Sequence, residues 1–227
     1  MKYPTLHRWH IWLGWLIGIP LIIWTVSGLF MVLVPIEQIR GTHLRAEMPP
    51  LEAGLNTVAP AMKARAVKTL SLEQQPSGPV WLISYADGGV RRGDPATGAL
   101  LPAVGAVEAR SLASGYYAGE AKIIGVKHFA ADKSPFDLRR ERPSWQASLD
   151  DGTRLYIAAD SGSLLAVRTD RWRVFDFMWG LHILDPQTRE DTSHPLLIGF
   201  AALSLIGVLL AFFMQIWRQL RRKRRPR

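Results

Sequence analysis

The chain contains no cysteine. That excludes disulfides, thiolate metal sites, iron–sulfur clusters and covalently attached c-type haem. Acidic residues are missing from both ends: all 19 aspartates and glutamates lie between two apolar runs, residues 11–34 and 196–217. No dinucleotide fingerprint, phosphate-binding loop, zinc-peptidase motif or nucleophile elbow occurs anywhere in the chain. Flavin or nicotinamide chemistry would have to come from a partner. The second apolar run and the tail behind it also lack histidine.

What is present is an unusual distribution of charge. The net charge is +9, and the tails hold Lys2 and Arg8 at one end and Arg218, Arg221, Arg222, Lys223, Arg224, Arg225 and Arg227 at the other. The remaining basic residues equal the acidic ones in number, so the long segment between the apolar runs is neutral. Each run is free of formal charge and exceeds the roughly 18 residues that suggest a helix crossing a bilayer core of about 30 Å. Short cytoplasmic flanks accumulate Lys and Arg, whereas long loops cross largely regardless of charge. These features predict two transmembrane helices, both termini cytoplasmic, and a large loop in the periplasm of a bacterium whose inner membrane holds the chain. The basic tail follows Trp217 directly and reads as a stop-transfer anchor meeting the lipid bilayer, so no nucleic-acid partner is expected. The first run is about twice the usual signal-peptide core of roughly 7–15 residues and offers no small-residue cleavage site, so it reads as a retained anchor.

The expected organisation is a cytoplasmic tail (1–10), a first transmembrane helix (11–34), a periplasmic α+β domain (35–170), an interfacial amphipathic helix with a linker (171–195), a second transmembrane helix (196–217) and a basic cytoplasmic tail (218–227). Within the domain, residues 51–67 read as an amphipathic helix interrupted by Pro60, and residues 107–117 as a second helix. Strands are expected at 80–85, 90–92, 145–149, 154–159 and 164–167, separated by Asp-Gly and related turns. Trp81 precedes Asp87-Gly88 by the same interval as Trp145 precedes Asp151-Gly152. That spacing suggests two repeated units of antiparallel strands and helices.

The six histidines are His7, His10, His43, His128, His182 and His194. At about 100° per residue, His7, His10, Gly14, Gly18, Thr25 and Gly28 share one face of the first span. One reading is a helix-packing groove, since small residues let backbones approach closely in lipid. The other is a flat macrocycle lying on the glycines with a histidine on its iron. On the residues alone both remain open. His7 and His10 are one turn apart and cannot occupy opposite sides of one iron. A bis-histidine haem at this end would need a second chain, arguing for a homodimer or a larger membrane complex. His182 ends an aromatic-rich segment at 171–184, and His194 precedes Pro195 at the second span. His43 and His128 read as local structural residues.

The opening Leu6-His7-Arg8-Trp9, the Trp81 to Gly98 loop (Trp…Asp-Gly…Asp-Pro-x-Thr-Gly) and the segment Phe177-Met178-Trp179-Gly180-Leu181-His182-Ile183-Leu184-Asp185 together resemble the PepSY-associated transmembrane family. The resemblance covers nearly the whole chain. It implies a PepSY-like domain and kinship with larger, haem-binding reductases of ferric siderophores, which have more spans. It further implies one or two haem b groups, with His7, His10, Gly14 and Gly18 at the inner end and His182 and His194 at the outer. The first span is about 36 Å long at 1.5 Å per residue, so crossing it would take two haems or one haem serving a partner.

Three functions follow as expectations. The first is a haem protein carrying electrons across the inner membrane, as a ferric reductase or electron-transfer subunit in siderophore iron uptake. The second is an anchored periplasmic binding or inhibitory module without a cofactor. The third is an accessory subunit of a larger complex. The charged stretch 133–142 is a candidate docking surface for an anionic ferric chelate, and Asp150-Asp151 and Glu190-Asp191 read as turn and cap residues.

Overall fold

The computed structural model describes residues 3–61 and 65–223. Of the charges read above, Lys2, Arg224, Arg225 and Arg227 lie outside the described residues. The chain divides into two compact units, residues 1–35 with 174–227, and residues 36–173.

The first unit is built on two long helices, α1 (Tyr3–Leu33) and α5 (Pro195–Lys223). Thr5–Leu33 and Pro195–Arg221 are each long and apolar enough to cross a membrane. Both helices continue past the apolar limits read from sequence, because backbone hydrogen bonding does not stop where hydropathy does. Trp12, Trp15, Val32, Leu196 and Val208 are each more than half exposed. So much contiguous apolar surface suits lipid rather than water. The helices meet at Gly207, where a Cβ would lie 3.1 Å from Ile17 Cδ1 and 3.4 Å from Leu13 Cδ2. A small residue there lets the two backbones approach.

Helix α4 (Asp170–His182) lies between them in sequence and belongs to this unit from Val174 onward. Its C-terminus is closed by Leu184 in a left-handed conformation (φ 57°), with Leu184 N–H donating to Leu181 O and Asp185 N–H to Gly180 O at 2.9 Å. That is a Schellman ending formed without glycine. Beyond it, Asp185 accepts the Thr188 hydroxyl and the backbone N–H groups of Thr188, Glu190 and Asp191. Arg189 reaches back to the buried Asp176 at 2.6 Å. Val174 and Phe177 stay exposed, leaving an apolar outer stripe on α4.

The second unit holds two antiparallel sheets. One contains β1 (Val67–Gln75), β2 (Gly78–Tyr85) and β3 (Val90–Gly93). The other contains β4 (Ile123–Phe129), β5 (Ser144–Leu149), β6 (Arg154–Ala158) and β7 (Leu164–Arg168). A short helix α2 (Ile36–Arg40) opens the unit, and α3 (Ala106–Tyr116) packs Ala109, Leu112 and Ala113 onto Leu155, Ile157 and Val167. Polar contacts tie the first sheet to the β6–β7 turn and to α3. Gln75 Nε2 donates to Ser161 O at 2.9 Å, and Arg92, 3% exposed, forms a two-point ion pair with Glu108.

The two sheets share one hairpin pattern in detail. Trp81 and Trp145 each donate an indole N–H to a valine carbonyl earlier in the chain, Val58 at 2.9 Å and Val104 at 2.7 Å. Asp87 accepts the Gly89 N–H and Asp151 the Thr153 N–H, with Gly88 (φ 84°) and Gly152 (φ 81°) in the left-handed region between. The irregularity that pairs Val67 with Tyr85 but Thr69 with Ser84 recurs where Ile123 faces Leu149 and Gly125 faces Ser148.

The helix expected over 51–67 is not formed in its described part. Residues 55–61 are irregular, a turn occupies Ala53-Gly54, and β1 begins at Val67. Residues 62–64 of that expectation lie outside the described residues. Pro60 removes a helical donor and Gly54 sits at φ 78°, while Leu51, Leu55 and Val58 find no core to bury them. The segment instead gives its backbone to the first sheet: Val58 N–H donates to Pro95 O at 2.7 Å, beside the Trp81 bond.

Candidate functional site

The faces of α1 have different occupants, which follows from its periodicity. Leu13 and Ile17 lie on the side that meets Gly207. Gly14 and Gly18 point elsewhere: nothing lies within 4 Å of a Cβ built at either. They belong to a groove with a volume of about 390 Å³, bordered by His10, Trp15, Ile19 and Ile22. His10 Nδ1 is buried and has no hydrogen-bond partner among the described residues. The side chain of His7 is exposed.

Gly28, expected on the same face, is closed over. A Cβ there would come 2.9 Å from His182 Cε1. His182 stacks on Trp24 with ring centroids 4.7 Å apart, and its Nδ1 lies 3.0 Å from Trp24 O and 3.2 Å from Ser27 Oγ. A carbonyl only accepts, so the contact to Trp24 makes Nδ1 the protonated nitrogen. His182 thus serves as a packing and hydrogen-bonding peg against α1.

His194 is committed at both nitrogens. Its Nε2–H donates to Ile183 O at 2.8 Å, and Nδ1 accepts the Leu197 N–H at 3.4 Å. It therefore caps the start of α5, with Pro195 in the first helical position, a pairing that suits a residue lacking a free N–H. The structure brings His182 and His194 to the same end of the unit. It separates them from His10, which lies beside the glycine groove.

The remaining sequence candidates have local roles. Asp150 accepts the Lys122 N–H and Asp151 the Thr153 hydroxyl; the Glu190 and Asp191 N–H groups donate to Asp185. In the stretch 133–142, Arg142 pairs with Asp160 at 2.7 Å and Asp137 with Arg154 at 2.7 Å. Arg139 covers the Phe136 ring at 3.9 Å. His128 meets Trp145 edge-on, centroids 5.0 Å apart. His43 borders a polar cleft of about 250 Å³ with Asp151, Asp170 and Arg171, a grouping that sequence spacing did not reveal because its members come from three distant segments. Among the described residues no three His, Asp or Glu side chains are placed to hold a metal ion.

Outside the apolar helices, the Arg65 guanidinium beside Asp87 holds that carboxyl below its usual range, helped by the Gly89 N–H. The Thr188 hydroxyl does the same for Asp185. Burial pushes the Tyr116 hydroxyl up to about 12, with Glu73 adding to the shift.

No family profile matches the chain, and no curated protein or solved structure is significantly similar to it.

Proposed function

We propose that this chain is an inner-membrane b-type haem protein of the PepSY-associated transmembrane kind. In this reading both termini are cytoplasmic, the sheet-bearing unit is periplasmic, and electrons pass toward a ferric chelate in iron uptake. The observation that carries it is the buried His10 Nδ1 beside an open groove floored by Gly14 and Gly18. These residues fit haem: glycine leaves room for a flat macrocycle, and a histidine whose Nδ1 has no partner among the described residues is a candidate to hold iron. Bound haem would supply a one-electron couple. His10 would hold it, and the apolar wall of Ile19 and Ile22 would exclude water from it.

Helix α5 carries no histidine, so a second histidine for haem at this end would come from another chain. A homodimer related by a two-fold axis along this face would present His10 twice. Such a dimer binds one haem per two chains. The test is a reduced-minus-oxidised visible spectrum of the detergent-purified protein with haem quantified per chain. Sharp low-spin b-type bands at that ratio support the reading, and their absence from cells supplied with haem refutes it.

A second reading, an anchored binding module or accessory subunit, is favoured by one observation. His194 spends both nitrogens on contacts within the chain and His182 its Nδ1, which leaves the His182 Nε2 as the one nitrogen of the pair without such a contact among the described residues. A single inner haem does not span a helix of about 36 Å. Under that reading the groove packs a partner helix and no haem bands appear.

A further inference from the structure

A different face of α1 carries a second surface feature. Thr5, Arg8, Trp9 and Trp12 line a cavity of about 490 Å³ near the start of the helix. Their spacing places all four on one stripe, turned away from both the Gly207 contact and the glycine groove. Trp9 and Trp12 are 63% and 71% exposed, so neither indole is there to fill the core of the protomer. Among the described residues the cavity's lining is mainly apolar, with Arg8 as the cation and the Thr5 hydroxyl one turn before it. It opens at the end of the unit where the basic residues gather: α5 runs antiparallel, so Arg218 and Arg221 lie toward the same end as Arg8.

We propose that this cavity binds one anionic phospholipid, whose phosphate meets Arg8 and Thr5 and whose glycerol and upper acyl segments lie against Trp9 and Trp12. The inference rests on the membrane reading above but not on haem. Charge complementarity selects the ligand. A guanidinium recognises phosphate with two parallel N–H donors, and indoles favour the level of the bilayer where apolar chain meets polar headgroup. A soluble anion would gain nothing from the two indoles, and a neutral lipid would gain less from Arg8.

The experiment uses the full chain in mild detergent, exchanged from bilayers of mixed phosphatidylglycerol and phosphatidylethanolamine, and reads retained lipid by native mass spectrometry. One phosphatidylglycerol per chain is expected. Arg8→Gln should weaken retention roughly five- to tenfold, as expected for one membrane-level cation and its charge-assisted bonds. Arg8→Lys should lie between. Arg224→Gln with Arg225→Gln should leave the retained lipid in place, because the tail attracts lipid without holding one molecule. Equal retention in Arg8→Gln, loss caused by the tail substitutions instead, or displacement by excess inorganic phosphate would each overturn the proposal. Carbonate extraction of membranes separates the two readings: release of the protein would sink the membrane assignment itself, whereas a protein that stays embedded but holds no phosphatidylglycerol sinks only the lipid site.

Discussion

The imidazole of His182 lies parallel to the indole of Trp24, centroids 4.7 Å apart, with its Nδ1 3.0 Å from the carbonyl oxygen of the same tryptophan. Gly28 permits this, since any side chain there would strike the imidazole. Gly28→Val should therefore lower the stability of the detergent-solubilised protein by about 1–3 kcal/mol, the usual cost of overpacking a tight contact. Gly14→Ala should leave the isolated protomer unaffected, since its Cβ would meet nothing. Thermal unfolding followed by tryptophan fluorescence distinguishes them.

The groove can be tested apart from stability. Gly14→Leu fills space that is empty in the protomer, so folding should survive while haem binding or dimerisation is lost. His10→Ala should likewise remove the haem bands and leave membrane insertion intact. Full haem retention in His10→Ala would exclude it as the ligand.

His194→Ala separates capping from ligation. Losing the Nδ1 acceptor at the start of α5 should cost about 1 kcal/mol, as for other helix caps. The visible spectrum should not change, because neither nitrogen is available to iron. A spectrum altered with stability unchanged would reverse that assignment.

Alkaline unfolding should report on Tyr116. Its hydroxyl is raised from 10.0 to about 12 by burial, so the folded state holds the proton more tightly than the unfolded chain. The resulting stabilisation is complete below the unfolded value and disappears as pH rises through the folded one. Circular dichroism across that window should show a loss of stability that Tyr116→Phe reduces, with Tyr117 and Tyr156, also raised by burial, carrying the remainder.

The parts of the fold visible in the sequence were those with strong local signals. Two uninterrupted apolar runs, the Asp-Gly turns at Asp87 and Asp151, and the Trp81 and Trp145 strands all carry their geometry in neighbouring residues. Strands β1 and β4 escaped notice because both are edge strands. Lys68, Thr69 and Ser71 in one, and Lys127 and His128 in the other, blur the alternation that marks a half-buried strand. The 51–67 segment misled in the opposite way: its apolar spacing looked helical, but Pro60, Gly54 and a need for backbone partners from the first sheet decided its conformation.

Of the candidate site, the sequence places His10, Gly14 and Gly18 on one helical face, and in the structure they border one groove. It could not show that Gly28 is covered, because His182 arrives from a distant helix. Nor could it reveal that His194 is spent as a cap, which depends on a hydrogen bond to Ile183 across the loop. The Arg8 stripe was legible only as tail charge, since its cavity depends on which indoles stay exposed.

The two long helices should differ sharply in how freely they can vary. Helix α5 has Ser204, Gly207, Ala211 and Met214 on its less exposed side, and over most of its remaining circumference any aliphatic or aromatic side chain of suitable length serves. Helix α1 has a neighbour, a glycine groove and an arginine–indole stripe on three separate sides, with a histidine peg further along. Exchanging α5 for an unrelated apolar segment that keeps a glycine at its crossing point should be tolerated, while the same exchange of α1 should leave an anchored but inert chain.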